Sequence, residues 1–91
     1  MVPAPRLTVV SRENCPLCEE MLAMLADTLA ISAPALRESV CVIDVDSDPT
    51  LRRRYGLKVP VLLLDGEPVC HGQLDTAELL RLLRGRGAAG Y

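Results

Sequence analysis

The stretch "SRENCPLCEE" at residues 11–20 places two of the chain's four cysteines, Cys15 and Cys18, three positions apart. A thiol pair at this spacing can ligate a metal, lock a loop as a disulfide, or exchange electrons with another disulfide. Exchange requires a thiolate near neutral pH, and a thiolate forms where positive potential is fixed beside the sulfur. Cys15 stands directly before Pro16 and a helical pattern. Unpaired backbone N–H groups and the positive end of the helix dipole are expected to point at it there. Arg12, three residues earlier, supplies a cation close by. Features of this kind lower a cysteine pKa from about 8.5 to ~3.5–7.5. Cys18, one helical turn further on, is expected to be enclosed and to resolve the mixed disulfide that Cys15 forms.

The remaining metal-binding residue types do not support a metal centre. Structural zinc sites draw on two closely spaced ligand pairs, whereas Cys41, Cys70 and His71 offer no second C-x-x-C. Cys41 lies in an apolar run and reads as a small hydrophobe in a strand. Cys70 lies on a hairpin and reads as packed. His71 is the only histidine and is given no chemical role. The alternating Asp44, Asp46 and Asp48 resemble a calcium loop only superficially. Proline follows where that loop needs glycine, and its twelfth position is Tyr55.

The elements that must position Cys15 follow from local signals. "LTVVS", Leu7 to Ser11, is a β-branched run and a first strand. From Leu17 to about Ala30, Met21, Leu22, Leu25 and Leu29 recur at helical offsets, with Pro16 suited to the first turn. Pro34 interrupts this pattern and can open a short helical turn. Val40 to Val45 reads as the second strand, and Asp48-Pro49 opens a short helix closing near Gly56. Val59 to Leu64 is a third strand, and Asp65-Gly66 marks a hairpin. The fourth strand, near Val69 to His71, is confined by Pro68 to an edge or a strand start. Asp75 and Glu78 form a D-x-x-E cap for the last helix. "GRGAAGY", residues 85–91, reads as a frayed tail after a core of about 6–84. The order is β-α-β-α-β-β-α, an α/β domain with strands joined by a helical crossover running parallel and a terminal hairpin antiparallel to them. A C-x-x-C ending the first strand of such a unit reads as redox.

Whole-chain properties narrow the partners. Ninety-one residues make one small domain, and without Phe or Trp its core must be aliphatic. A formal net charge of −2 gives no electrostatic attraction to nucleic acid or to an anionic membrane. No stretch approaches the roughly 18 apolar residues of a membrane span, and the N-terminal apolar run is too short for a secretory signal. The expected setting is therefore cytoplasmic, where thiols stay reduced, and the expected state is a monomer.

Taken together, "SRENCPLC", "KVPVLLLDGE" and "HGQLD" resemble the glutaredoxins of the thioredoxin superfamily, and the likeness covers nearly the whole chain. The first matches a basic residue three before C-P-x-C, the second a T-V-P strand and hairpin, and the third a Gly-Gly-x-x-Asp-type glutathione loop. The chain departs from that pattern at Leu17, where the family has an aromatic ring, at Lys58 in place of threonine, and at His71 in place of the first glycine. It differs from thioredoxins in having Asn14 before Cys15 and proline directly after it. The resemblance implies a thioredoxin-like domain with a four-stranded mixed sheet flanked by helices, and a cis Pro60 facing the cysteines. It implies a thiol–disulfide oxidoreductase with Cys15 as nucleophile and Cys18 as resolving thiol. It further implies glutathione as co-substrate with no permanently bound cofactor, and disulfide-bearing proteins or small disulfides as partners. Arg12, Pro16, Leu17, Lys58, Val59, Pro60, Gly72 and Asp75 are then the substrate-contacting positions. Independently of family, a Val-Pro strand start leaves backbone groups on which a peptide can lie as an added strand. The competing reading is a binding module that keeps the fold without turnover, for which the dithiol would be superfluous.

Overall fold

The structure, a computed structural model, describes residues 4–86. Its elements are β1 (Leu7–Ser11), α1 (Pro16–Ser32), α2 (Pro34–Arg37), β2 (Cys41–Asp44), a 3-10 turn (Val45–Ser47), α3 (Pro49–Tyr55), β3 (Val61–Leu64), β4 (Glu67–His71) and α4 (Thr76–Gly85). The strands form one sheet in the order β2-β1-β3-β4. β1 and β2 are parallel, β3 is antiparallel to β1, and β4 is antiparallel to β3. This is the mixed sheet of a thioredoxin-like α/β domain.

The side chains of the central strands alternate between two cores. Leu7 and Val9 of β1 and Leu62 and Leu64 of β3 pack with Met21, Leu25 and Leu29 of α1 and Leu79 and Leu83 of α4. Val10 and Val61 point the other way, onto Val45 and Tyr55, with Leu51 packed against them. The period-2 alternation of a strand thus puts α1 and α4 on one face and α3 on the other. Deletion of one of these fully buried leucine side chains to alanine costs about 2–5 kcal/mol.

Local signals account for the element ends. Asp48 accepts from the Thr50 N–H at 2.9 Å as the cap of α3, and Asp75 accepts from the Glu78 N–H at 3.1 Å as the cap of α4. Asp65 and Gly66 have φ of 51° and 85°, the pair of positive values that a two-residue type I′ hairpin turn needs. Pro68 is accommodated because β4 is an edge strand, and the β3–β4 register slips between Leu62 and Leu63, leaving Val69 as a bulge residue.

Several boundaries and one environment differ from the sequence expectations. Regular pairing in β3 starts at Val61 rather than Val59, and Val45 belongs to the 3-10 turn rather than to β2. Cys18 joins the buried stripe of α1, whereas Leu22 is only half-buried. α4 runs to Gly85, and Arg86 is held by Asp65 at 3.0 Å, so the frayed tail does not begin at residue 85; its residues 87–91 lie outside the described residues. Cys41 is exposed, not a buried hydrophobe, because β2 is the outer strand beside β1 and shows three of its four residues to solvent.

Candidate functional site: a cysteine pair at the helix start

Strand register brings the singled-out residues to one end of the sheet. Val10, near the end of β1, pairs with Val61 at the start of β3, which pairs with His71 at the end of β4. Ser11 pairs with Asp44 at the end of β2. The loop carrying Cys15, the Val59–Pro60 segment, the His71–Gly72 corner and the Asp44–Asp48 turn therefore all leave the sheet at the same edge.

Cys15 is the N-cap of α1. Its extended backbone (φ −117°, ψ 99°) turns Sγ back over the helix start, where it accepts the Cys18 N–H at 3.2 Å. The Cys15 carbonyl accepts the Glu19 N–H at 3.1 Å, so the cap is closed by backbone and side chain together. Asn14, with φ 55°, makes the left-handed step that delivers the chain to this geometry. Cys15 and Cys18 are joined as a disulfide across a Cα–Cα separation of 5.2 Å. Their exposures differ sharply: Cys15 is half-buried at the surface, and Cys18 is 1% exposed. One sulfur is open to an incoming molecule, and the other is sheltered beneath it.

Val59–Pro60 is a cis peptide bond, and Pro60 is buried. The Pro60 carbonyl accepts the Gly72 N–H at 2.8 Å, which ties the proline segment to the loop before α4. Gly72 adopts φ 78°, a region that side chains other than glycine enter at a cost. Asp75 spends one carboxylate oxygen on the α4 cap, and its N–H donates to Cys70 Sγ at 3.5 Å. Burial pushes the Cys70 thiol pKa up, only partly opposed by that N–H. Pro16 and Leu17, in the first turn of α1, are exposed, and Val59 is half-buried just ahead of the β3 ladder. Lys58 is exposed and shares a shallow depression of about 160 Å³ with Tyr55, Cys70 and His71.

Arg12 is placed differently from the expected role of lending charge to Cys15. Its Nε and Nη2 donate to the two Asp46 carboxylate oxygens at 3.0 and 3.2 Å, and Nη1 donates to the Gly56 carbonyl at 2.9 Å. Arg52 also reaches Asp46, at 3.3 Å. The hydrogen bond from Arg12 holds the Asp46 carboxyl below the usual carboxylate range and raises the Arg12 guanidinium in return. This planar, bidentate arrangement fastens the loop before Cys15 to the turn after β2 and to the end of α3. Gly56 is required there, since an added Cβ would lie 2.5 Å from the Arg52 carbonyl. In the sequence Asp46 is one of three alternating aspartates and Gly56 marks the close of a short helix. No local signal links Arg12 to partners 34 and 44 residues away.

The cysteines do not converge on a common point. Cys41 and Cys70 lie on β2 and β4, the two opposite outer strands. The three aspartates of "DVDSD" are each engaged by protein groups: Asp44 by the Asp46 N–H, Asp46 by Arg12 and Arg52, and Asp48 by the Thr50 N–H. Among the described residues no helix is long and apolar enough to cross a membrane.

Comparison with known proteins agrees with this geometry. Residues 6–84 match the family described as Glutaredoxin-like domain (DUF836). The chain is 30% identical over 80 residues to Uncharacterized protein Rv0508 of Mycobacterium tuberculosis, covering 82% of this chain and 78% of that one. Uncharacterized protein Mb0520 of Mycobacterium bovis gives the same figures. Among solved structures, Protein Ne2328 from Nitrosomonas europaea superimposes with a TM-score of 0.76 at 33% identity, over 90% of this chain and 94% of that one. Target protein XcR50 from X. campestris superimposes with a TM-score of 0.55 at 26% identity, over 87% and 96%. With a sheltered Cys18 behind an accessible Cys15, and a cis proline in the V-P segment, the chain belongs to the Glutaredoxin-like domain (DUF836) family, within the thioredoxin superfamily.

Proposed function

We propose that the chain is a thiol–disulfide oxidoreductase that draws electrons from glutathione and delivers them to protein or small-molecule disulfides. The observation that carries this reading is the asymmetry of the pair: an accessible Cys15 Sγ receiving the Cys18 N–H at a helix N-terminus, and a buried Cys18 behind it. In the reduced state the Cys15 thiolate attacks one sulfur of the substrate disulfide. The substrate S–S bond breaks, a Cys15–substrate S–S bond forms, and the leaving thiolate takes a proton from water. Cys18, deprotonated, then attacks the Cys15 sulfur, forming the Cys15–Cys18 disulfide and releasing the second substrate thiol. Two electrons have passed to the substrate. One glutathione thiolate reopens the pair as a Cys15–glutathione mixed disulfide, and a second removes that glutathione as its disulfide. Hydrogen-bond donation to Cys15 Sγ favours the anion both as nucleophile and as leaving group.

Lys58 supports glutathione binding as a remote cation for one of its two carboxylates, and the Val59 backbone supports it as a strand partner. Leu17 offers no stacking ring, and His71 adds bulk beside Gly72, so coupling is expected to be weak but measurable. A reducing, cytoplasmic setting suits such chemistry.

The test is glutathione-coupled reduction of bis(2-hydroxyethyl) disulfide. Wild type is expected to turn over, Cys15→Ser to be inactive, and Lys58→Glu to raise the KM for glutathione more than it lowers kcat. Efficient reduction by thioredoxin reductase with none by glutathione overturns the glutathione assignment. Absence of turnover with either reductant, with the dithiol intact, overturns the enzyme reading in favour of a binding module.

A further inference from the structure

A groove of about 530 Å³ lies between α1 and the loop before α4, with Glu20, Met21, Ala23 and Met24 of α1 on one side and Gly72 to Leu74 on the other. Of its lining residues, only Gly72 is among the expected substrate contacts of the exchange site. Its walls are mainly apolar, and Met24 is 48% exposed although the adjacent Met21 already fills the core position. Leu17, seven residues earlier on the same flank of α1, is 44% exposed. Leu17, Glu20, Met21 and Met24 follow the three-and-four spacing of one helix face, so this flank leads from the C-P-x-C turn into the groove. Leu57, at the mouth of the V-P segment, is also fully exposed. Flexible methionine and leucine side chains left in water around a reactive site are a surface for another apolar body.

Glutathione is a poor occupant of this groove. It brings two carboxylates and no apolar side chain, whereas among the described residues the one charged side chain lining the groove is Glu20, and the exposed Asp75 follows the loop wall. The charge and the apolar walls together fit a cationic, apolar segment of polypeptide. The path from the exchange site is open: Gly72 lies in the groove wall and is bonded to Pro60, and a Cβ added to it would meet nothing within 4 Å. Along the axis of α1, Glu20 lies about 7.5 Å and Met24 about 13.5 Å beyond Cys15, at roughly 1.5 Å per residue. An extended chain advances roughly 3.3 Å per residue. A segment whose cysteine meets Cys15 therefore passes Glu20 with its second residue and Met24 with its fourth, both on the face that carries the target cysteine.

We propose that this groove seats an extended segment of a disulfide-bearing protein, with Lys or Arg two residues from the target cysteine against Glu20 and an apolar side chain four residues from it against Met24. The inference rests on the oxidoreductase reading and adds its protein-substrate preference. The covalent step is the one already written: the target S–S bond breaks as the Cys15–target S–S bond forms, and the reduced Cys15/Cys18 dithiol supplies both electrons.

The experiment uses reduced full-length protein under single-turnover conditions, without any coupling reductant, and follows peptide thiol release chromatographically. Three peptides are offered as symmetric disulfide dimers, with sequences that read alike in both directions: Leu-Ser-Arg-Ser-Cys-Ser-Arg-Ser-Leu, the same with Glu for Arg, and the same with Ala for Leu. The Arg/Leu peptide is expected to react about fivefold faster than the Glu/Leu peptide, the range of one exposed ion pair. It should also react about tenfold faster than the Arg/Ala peptide. Glu20→Lys should reverse the charge preference, and Met24→Asp should erase the Leu-over-Ala preference. Both variants should reduce bis(2-hydroxyethyl) disulfide at the wild-type rate, which also shows that they are folded. If wild type reduces the small disulfide but treats the three peptides alike, or if Glu20→Lys leaves the charge preference unchanged, the groove assignment is overturned and the oxidoreductase reading stands. If wild type reduces neither the small disulfide nor any peptide, both are overturned.

Discussion

Arg12 and Asp46 face each other fork to fork, with Nε–Oδ2 at 3.0 Å and Nη2–Oδ1 at 3.2 Å, across 34 residues of sequence. The pair joins the loop that leads to Cys15 to the turn that follows β2, and the remaining Arg12 nitrogen holds the Gly56 carbonyl. Arg12 thus fastens the loop that leads to Cys15, and Asp46 faces the charge it would otherwise lend.

This distinction gives opposite expectations for two variants. If Arg12 served as a free cation, Arg12→Met would raise the pH midpoint of Cys15 alkylation and Asp46→Asn, by liberating the cation, would lower it. A positional clamp predicts that both variants move the midpoint in the same direction. Both should also speed amide exchange at residues 11–15 and 56–60, because either substitution opens the same junction. Shifts of opposite sign with unchanged exchange would return Arg12 to the electrostatic role.

The cysteine pair should be chemically unequal. In reduced protein near pH 6, iodoacetamide is expected to label Cys15 well before Cys18, since only Cys15 combines surface access with the helix N-terminus. Cys15→Ser should abolish disulfide reduction. Cys18→Ser should accumulate mixed disulfides, visible as added mass on Cys15. Equal labelling rates in the folded protein would reject the assignment of nucleophile and resolving thiol.

The two other cysteines should separate by environment. Cys41, exposed on the outer strand β2, is expected to tolerate Cys41→Ser within about 0.5 kcal/mol of wild-type stability. Cys70 packs against the α1/α4 core and its thiol pKa is raised by burial, so at pH 8 it should alkylate more slowly than Cys41. Cys70→Ser should cost about 1 kcal/mol by denaturant titration. Neither substitution should change turnover. Loss of activity with the fold intact would show that one of these thiols takes part in exchange.

Acid should weaken the domain through two carboxylates. The Arg12 hydrogen bond lowers the Asp46 pKa, and the Arg6 N–H, with help from Arg86, lowers that of Asp65. A carboxylate with a depressed folded-state pKa binds its proton less readily folded than unfolded. Its contribution to stability is therefore complete above the ordinary value of about 3.9 and disappears as the pH falls through the lowered folded value. Between pH 5 and pH 2 the denaturation midpoint of wild type should fall more steeply than that of the double variant Asp46→Asn/Asp65→Asn. Both groups are exposed, so the difference should shrink in high salt. Parallel curves would mean that other carboxylates govern acid unfolding.

Short-range chemistry in the chain was sufficient for most elements and for the reactive pair. Asp48-Pro49, Asp65-Gly66 and Asp75 with Glu78 act on backbone groups within four residues, so their turn and caps form wherever the chain goes. Cys15-Pro16 opens α1 for the same reason, and with it comes the unequal exposure of Cys15 and Cys18. Pro68 marked β4 for an edge, but tertiary structure alone decided that β2 became the other. "VCVID" is as apolar as a central strand, and only the order β2-β1-β3-β4 leaves Cys41 and Val42 in water. The same holds for Arg12, whose partners Asp46 and Gly56 are brought to it by the parallel pairing of β1 with β2 and the packing of α3 beneath Val10. It holds too for the groove, whose walls come from one flank of α1 and a loop about fifty residues later. Capping and turn preferences are properties of neighbouring residues; edges, clamps and grooves arise from the assembly of distant segments, which no local pattern encodes.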